Sequence, residues 1–256
     1  MGYCSRSEAV ELVRARRVTV NGRQIRDPET PVRLEHDHVA VDDTPVSATS
    51  KIYLLMNKPR GPVTTASDEQ GRTTVYDLLR EYFGSDGLQS SQSLRALDSS
   101  FTNWVSPVGR LDKASEGLLL FTNDSRWAAA VTDPAFHVEK RYHVQVDCVV
   151  DERLLARIGR GVRIAGEHLR IKTACILRTG SKNSWLEITL DEGKNRHIRR
   201  LLDALGVSVL RIVRVSIGPL QLGDLKKGMV RPLTDEEKDA IDRSLDAGSN
   251  QAKRFD

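Results

Sequence analysis

Hydrophobic and polar residues alternate along several short stretches of the chain, the pattern of strands that bury one face. The clearest stretch is 140–146, where Tyr142, Val144 and Val146 alternate with polar residues. Because successive side chains of a strand point to opposite faces, this alternation predicts that Tyr142 faces the core or a cleft. Residues 185–190 alternate in the same way and predict another strand.

A continuous apolar run spans residues 117–121 and predicts a strand that is buried on both faces. The stretch before it holds a predicted turn at Pro107 and Gly109, followed by Arg110 and Asp112. A carboxylate beside a core strand is desolvated unless it has a partner, and polar groups on loops above a rigid scaffold often carry chemistry. Asp112 is therefore a candidate functional residue, although this short motif alone favours a turn cap.

A helical period begins after the turn at residues 192–195 and has the i, i+3, i+4, i+7 spacing of one buried face. Gly206 predicts the end of this helix. At 100° per residue, Arg196 and Arg200 point away from the apolar face. Arg199 lies half-buried at the edge of that face, where an unpaired guanidinium is costly, so a carboxylate partner is expected. The apolar residues of the face are Ile198, Leu201, Leu202 and Leu205.

The first 46 residues predict a small helix-and-hairpin domain. Ser5 and Glu8 form a capping box that starts a helix, which continues to about Arg16. Asn21-Gly22 between two β-prone runs is a strong hairpin signal, because both residues tolerate positive φ. Six arginines lie within the first 26 residues, which is more positive charge than so small a fold requires.

Short polar residues at 44–50 predict a linker from this domain, residues 1–46, to a larger domain at 52–243. The larger domain is predicted to open with a strand at 52–56 and a basic turn at 57–61. Its strands are dispersed among helices without regular βαβ alternation. The fold class is therefore predicted as α+β, with a mixed, mainly antiparallel sheet.

Two further segments are predicted to lack a fixed structure. Residues 85–103 are rich in serine and poor in large apolar residues, so they cannot easily offset the entropy of the chain, and a flexible insertion is expected. Thr234 and Glu237 form a second capping box that predicts a terminal helix. The tail 248–256 after that helix is expected to be disordered.

The composition excludes several classes of protein. With 39% hydrophobic and 29% charged residues over 256 positions, the chain has the balance of a soluble globular protein. No apolar stretch approaches the ~20 residues of a membrane span, and the N-terminus lacks the apolar segment of a signal peptide, so a cytoplasmic protein without membrane contact is expected. Cys4, Cys148 and Cys175 are too far apart to favour a disulfide framework or a zinc site.

Positive charge is concentrated in one part of the chain. Residues 140–214 contain 16 Lys and Arg against 8 Asp and Glu, whereas the formal charge of the whole chain is only +4. Most charge runs are ordinary solvated surface. A concentration of this size, with an isoelectric point of about 9.0, nevertheless favours a polyanionic partner.

Four stretches, in order along the chain, resemble the ribosomal-RNA pseudouridine synthases of the RsuA/RluB type. They are YLLMNKPRGPVTT (53–65), VGRLDKASEGLLLFTND (108–124), KRYHV (140–144) and EGKNRHIRRLLDALG (192–206). Residues 4–46 resemble the small RNA-binding module of ribosomal small-subunit protein four, the usual companion of that family. The helical stretch that usually precedes this module is nearly absent here, so a truncated module is expected.

The resemblance implies roles for individual residues. Asp112 resembles the catalytic aspartate, and Tyr142 resembles the tyrosine that stacks on the target base. Arg199 occupies the basic position that pairs with the aspartate, and Arg110 resembles the residue that helps to hold the target nucleotide out of its helix. Further basic residues are expected to bind the substrate: Lys58, Arg60, Lys140, Lys194, Arg196 and Arg200.

The implied reaction explains these residue types. The N1–C1′ bond of a uridine must break, the uracil must turn, and C5 must bond to C1′. A carboxylate can attack the sugar or assist glycal formation, and a nearby arginine favours its ionised form. An aromatic ring offsets part of the few kcal/mol that unstacking costs, and the Tyr142 hydroxyl is a possible base for the C5 proton. No cofactor or metal is implied, and His36 and His38 are expected at the surface.

The resemblance thus implies a monomeric enzyme that isomerises one uridine of ribosomal RNA. The pattern of Asn195-Arg196 and Arg199-Arg200 favours 23S over 16S rRNA as the partner. One alternative is a non-catalytic RNA-binding factor with the same fold, although the complete Asp112, Tyr142 and Arg199 set argues against it. Another is a different RNA enzyme, but a methyltransferase lacks support from any glycine-rich cofactor loop, and a glycosylase would release free uracil.

Overall fold

The computed structural model describes residues 3–33, 35–46, 50–66, 68–84 and 104–252. Its helices are α1 (Arg6–Arg14), α2 (Val75–Gly84), α3 (Ser125–Thr132), α4 (Glu152–Arg160), α5 (His197–Ala204) and α6 (Asp235–Ala252). Its strands are β1 (Val18–Val20), β2 (Arg23–Gln24), β3 (Val39–Val41), β4 (Thr44–Pro45), β5 (Tyr53–Lys58), β6 (Ser106–Val108), β7 (Glu116–Thr122), β8 (Lys140–Val146), β9 (Val162–Ile164), β10 (Glu167–Leu169), β11 (Thr173–Thr179), β12 (Ser184–Leu190), β13 (Val209–Ile217), β14 (Leu220–Gln221) and β15 (Val230–Pro232).

The N-terminal unit has a four-stranded sheet of its own, in the order β2-β1-β3-β4. The Ser5 hydroxyl accepts a hydrogen bond from the Glu8 amide at the start of α1, as predicted. Asn21 and Gly22 form the predicted hairpin turn, with φ of 53° and 75°. Because Thr44–Pro45 pairs with β3, the predicted linker cannot begin before Val46. The small core of this unit consists of Val13, Val18 and Val41.

The rest of the chain is built on a nine-stranded sheet with the path β11-β12-β8-β13-β7-β5-β15, to which β6 and β14 add at β7 and β13. The β7–β13 pair is parallel, and the other described pairs of this sheet are antiparallel. The α+β class and the mixed, mainly antiparallel sheet are therefore confirmed.

The apolar run at 117–121 forms the predicted core strand, since all seven residues of β7 are buried. The predicted turn at Pro107 is wrong, because Pro107 lies in β6 and pairs with Phe121 of β7. Proline is tolerated there because β6 is bonded on one side only. The chain turns at Gly109, where φ is 72°.

The start of the larger unit also differs from the prediction. β5 continues to Lys58, so Asn57 and Lys58 belong to a buried strand and the turn begins only at Pro59. The following helix, α2, starts after Thr74, whose amide and hydroxyl both donate to the Asp77 carboxylate, at 2.7 and 3.0 Å. The helix begins at Val75, directly after this cap.

The two C-terminal helices follow their sequence signals. α5 buries its apolar face, as predicted, and Gly206 lies just beyond its end. The Thr234 amide donates to the Glu237 carboxylate at 3.0 Å, and the Glu237 amide donates back to the Thr234 hydroxyl at 3.2 Å. This is the predicted capping box at the start of α6.

The predicted disordered tail 248–256 needs correction at its start, because α6 continues to Ala252. The backbone of Gly248 packs so closely on Phe136 that an added Cβ would lie 2.4 Å from the Phe136 carbonyl oxygen. Residues 253–256 and the predicted insertion 85–103 lie outside the described residues.

Candidate active site

A cleft of about 410 Å³ opens between the loop 109–115, β8, β13 and the start of α5. Its volume is within the range of small-ligand pockets. The cleft brings together seven of the ten residues that the sequence singled out: Arg110, Asp112, Lys140, Tyr142, Lys194, Arg196 and Arg199. Lys58, Arg60 and Arg200 do not line it.

Lys58 lies beneath the loop that carries Asp112. Its side chain is 0% exposed, and Nζ donates to the carbonyl oxygens of Pro59, Asp112 and Ser115 at 3.1, 3.2 and 3.1 Å. Burial lowers the pKa of Lys58 to about 8, while Asp112 and Glu116 oppose the shift. The prediction that Lys58 contacts substrate is therefore wrong for this conformation, because all three bonds hold the main chain of the loop.

Thr64 fixes the same loop from its other side. Its hydroxyl donates to the Leu111 carbonyl oxygen at 2.7 Å and lies 3.4 Å from the Leu111 amide. The amide of Gly61 also donates to the Lys113 carbonyl oxygen at 2.9 Å. The half-buried Asp112 is thus carried by a loop whose main chain is bonded on both sides.

Tyr142 is held by the sheet itself. It lies on β8 between Ile188 of β12 and Arg214 of β13, and its ring packs against buried residues of two neighbouring apolar clusters. Val144 and Val146 on the same face are 0% exposed, which confirms the predicted alternation. The ring itself stays partly exposed and lines the cleft.

Arg199 is half-buried, as predicted, but it has no carboxylate partner among the described residues within 4.0 Å. Nη2 donates to the Ala114 carbonyl oxygen at 3.0 Å, and Nη1 donates to the Val209 carbonyl oxygen at 3.4 Å. Burial lowers the pKa of Arg199, and the charge of Asp112 acts in the opposite direction. Arg199 therefore supports the Asp112 loop through its main chain and interacts with Asp112 through space.

The remaining cations differ in how freely they can meet a substrate. Burial, with a smaller contribution from Arg214, lowers the pKa of Lys140 to about 8. Lys194 donates to the His168 carbonyl oxygen at 2.9 Å and pairs with Glu192 at 3.0 Å. Arg110 and Arg196 are exposed at the rim. Arg196 adopts a left-handed conformation at the start of α5, with φ of 47°.

Arg60 and Arg200 lie away from the cleft lining. Arg60 is exposed but close enough to Arg199 to lower the pKa of that guanidinium slightly. Arg200 donates to the Glu167 carboxylate at 2.6 Å, so its charge is already matched. Arg60 forms no ion pair with a described residue, whereas Arg200 is committed to one.

The sequence patterns missed Arg214 as a site residue. Arg214 is only 5% exposed, lines the cleft, and donates from Nε to the Leu118 carbonyl oxygen at 2.8 Å. The available signal was an arginine inside a β-prone stretch. A charge buried in a strand is costly unless it is paired or hydrogen-bonded, so such an arginine is a candidate for a functional role. Periodicity could not tell whether this side chain faces a cleft or solvent.

No cluster of three or more His, Cys, Asp or Glu side chains in the described part of the chain could hold a metal ion. None of the described helices is long and apolar enough to cross a membrane. The cleft instead offers one carboxylate, one aromatic ring and several cations, which suit a nucleotide whose sugar, base and phosphates must each be contacted.

The fold and this cleft define a class of RNA-modifying isomerases. The chain belongs to the RNA pseudouridylate synthase family, whose model matches residues 52–204. The S4 domain model matches residues 1–39, in agreement with the resemblance seen in the N-terminal motif.

Individual relatives match over almost the whole chain. An uncharacterized RNA pseudouridine synthase of Aquifex aeolicus is 34% identical over 237 residues, which cover 92% of this chain and 88% of that protein. Ribosomal large subunit pseudouridine synthase B of Bacillus subtilis is 30% identical over 251 residues, which cover 97% of this chain and 95% of that protein. A crystal structure of a pseudouridylate synthase is 27% identical, covers 93% of this chain and 94% of its own, and has a TM-score of 0.62.

Proposed function

We propose that this protein isomerises one specific uridine of ribosomal RNA to pseudouridine, with Asp112 as the carboxylate that acts on the sugar. The observation that carries the proposal is that Asp112 and Tyr142 line one cleft whose rim is cationic. A nucleotide turned out of its helix needs a carboxylate near C1′, an aromatic face for the base and cations near the phosphates.

Asp112 attacks C1′ or assists formation of a glycal, and the N1–C1′ bond breaks. The uracil then turns on the face of Tyr142 until C5 can bond to C1′. Loss of the C5 proton, for which the Tyr142 hydroxyl is the proposed acceptor, completes the isomerisation. Arg110 at the rim is proposed to hold the displaced nucleotide, and other exposed cations are proposed to meet the backbone phosphates.

The proposed substrate is 23S rather than 16S rRNA. Two relatives, from Bacillus subtilis and Yersinia pestis, carry the name ribosomal large subunit pseudouridine synthase B, at 30% and 31% identity. The Asn195-Arg196 and Arg199-Arg200 pattern supports the same choice. Because ribosomal RNA is the proposed substrate and one chain forms the whole cleft, a cytoplasmic monomer is proposed.

Pseudouridine mapping of rRNA tests this function directly. Cells without the protein are complemented with wild type, Asp112→Asn or Asp133→Asn. Asp133 is an exposed carboxylate that caps the turn at 134–136 outside the cleft, so it is a matched control. We expect one 23S site to disappear and to return with wild type and Asp133→Asn only.

Other outcomes would reject parts of the proposal. Full restoration by Asp112→Asn would exclude the carboxylate mechanism. No change at any rRNA site would favour a non-catalytic RNA-binding factor or another RNA target. Free uracil released from the purified transcript would identify a glycosylase.

A further inference from the structure

Arg214 is built into the floor of the cleft with an unused hydrogen-bond donor. It lies opposite Tyr142 in the β8–β13 ladder, and directly opposed residues of an antiparallel pair share one face of the sheet. Its Nε is satisfied by the Leu118 carbonyl oxygen, which orients the guanidinium. Nη2 is buried and has no hydrogen-bond partner in the described part of the protein.

Two cations lie close enough to Arg214 to interact with it. They are Lys58 and Lys140, and Arg214 helps to lower the pKa of each. No described carboxylate forms an ion pair with Arg214. A buried guanidinium with an unsatisfied donor beside two cations is unfavourable, so the site has capacity for an acceptor with negative charge.

We infer that Arg214 is a catalytic residue that stabilises the negative charge on the uracil as it leaves the sugar. The inference rests on the proposed function. When the N1–C1′ bond breaks, its electron pair stays on N1 and the charge spreads to the carbonyl oxygens, and the Arg214 guanidinium donates a hydrogen bond to one of them. C5 then bonds to C1′, any Asp112–C1′ bond returns its electron pair to the carboxylate, and the C5 proton leaves. The same anion forms if the aspartate assists a glycal instead.

The position of Arg214 favours the base over a phosphate as its ligand. Side chains of a directly opposed pair are close neighbours, so a base stacked on Tyr142 brings its carbonyl edge within reach of Arg214. Backbone phosphates are bulky and solvated and can meet the exposed Arg110 and Arg196 at the rim. A guanidinium on a residue that is 5% exposed is suited to charge that develops inside a water-poor cleft, where a hydrogen bond stabilises charge most strongly.

The test varies the leaving base together with the protein. Single-turnover conversion is measured on 23S transcripts made with uridine or with 6-azauridine, whose electron-withdrawing ring nitrogen lets the base carry negative charge with less help and which keeps the C5 proton that must leave. Arg214→Gln is expected to slow uridine conversion by about 100-fold and 6-azauridine conversion by less than about tenfold. The control is Arg211→Gln, on the same strand, because Arg211 pairs with Glu116 at 2.7 Å and does not line the cleft. It is expected to keep the wild-type ratio of the two rates.

Equal slowing of both transcripts by Arg214→Gln would overturn the inference and leave the proposed function intact. If wild type converts neither transcript, the proposed function fails, and the inference fails with it. Thermal unfolding is measured for each variant, and Arg214→Lys replaces Arg214→Gln if the latter does not fold. If neither variant folds while Arg211→Gln does, the guanidinium is a structural anchor and the catalytic role is rejected.

Discussion

At the residue level, two cations reach the loop of Asp112 by bonding its main chain. Lys58 donates hydrogen bonds to the Asp112 and Ser115 carbonyl oxygens, and Arg199 donates one to the Ala114 carbonyl oxygen. A direct bidentate ion pair would occupy the carboxylate oxygens. Bonding to the main chain leaves both oxygens of Asp112 without a hydrogen bond from the described residues and so available for the proposed attack on the sugar, while positive charge remains nearby.

The two proposed roles of Tyr142 can be separated by substitution. Tyr142→Phe keeps the ring and is expected to bind 23S transcript like wild type, but to release tritium from C5-labelled uridine about 10²-fold more slowly, because the general base is lost. Tyr142→Leu is expected to weaken binding as well, by about 1–3 kcal/mol, because stacking is lost. Wild-type tritium release by Tyr142→Phe would exclude the hydroxyl as the base.

Lys140 should make RNA binding sensitive to alkaline pH. Its lowered pKa of about 8 means that it is charged at pH 7 and largely neutral at pH 9. Affinity for 23S transcript is therefore expected to fall as the pH rises through about 8, by roughly tenfold if one charge-assisted contact is lost. Filter binding over this range gives the measurement.

Two variants test whether Lys140 causes this pH dependence of RNA binding. Lys140→Gln is expected to bind weakly already at pH 7 and to change less at pH 9. Lys172→Gln is the control, because the pair with Glu139 raises the pKa of Lys172 and keeps it charged across the range. If Lys140→Gln retains the full pH dependence, another group, such as the buried Lys58, is responsible.

At the level of elements, the site depends on the parallel contact between β7 and β13. Gly117 of β7 pairs with Arg214 of β13, and its φ is 103°. An added Cβ would lie 2.2 Å from the Arg214 carbonyl oxygen. This close approach places the strand that follows the Asp112 loop directly beside the strand that carries Arg214.

Gly117→Ala is expected to lower the free energy of unfolding by about 3 kcal/mol or more, because backbone would have to move. Gly159→Ala, within α4, is a matched control, because apart from its chain neighbours and the backbone of its own helix nothing lies within 4 Å of its added Cβ. There alanine is expected to stabilise by up to about 1 kcal/mol. Chemical unfolding compares the two, and equal stabilities would contradict the close contact.

At the level of the whole molecule, the catalytic sheet and the N-terminal unit each have their own apolar core. Among the described residues, the N-terminal core contains three buried residues, whereas one cluster of the larger unit contains 13. Most of the folding free energy is therefore expected in the larger unit. The charge of the small unit, with six arginines in its first 26 residues, suits RNA binding.

A chain of residues 50–256 is accordingly expected to keep the main thermal transition but to bind 23S transcript more weakly. The slope of log affinity against log salt should also become shallower, because fewer phosphates are neutralised. Calorimetry and binding at several salt concentrations provide the measurements, with the full chain as the reference. An unchanged salt slope would show that the N-terminal arginines do not contact phosphates.

The sequence by itself determined those features that depend on neighbouring residues. The alternation in β8, the apolar face of α5, the Asn21-Gly22 hairpin and the capping boxes at Ser5 and Thr234 were readable, because each signal lies within a few residues. Asp112, Tyr142 and the family were accessible because the motifs occur in order along the chain. The extent of β6 and of α6 could not be predicted, because Pro107 pairs with Phe121 and Gly248 packs on Phe136, and both partners are distant in the sequence.

Only the tertiary structure decided how the charged residues are used. Lys58, Arg199 and Arg214 are all cations in the sequence, but they are used differently. Lys58 is buried beneath the Asp112 loop, Arg199 supports that loop from α5, and Arg214 lines the cleft. Their hydrogen-bond partners lie 57, 85 and 96 residues away. Such contacts arise when strands distant in sequence become neighbours in one sheet, and no local pattern encodes which carbonyl or cleft a long side chain will reach.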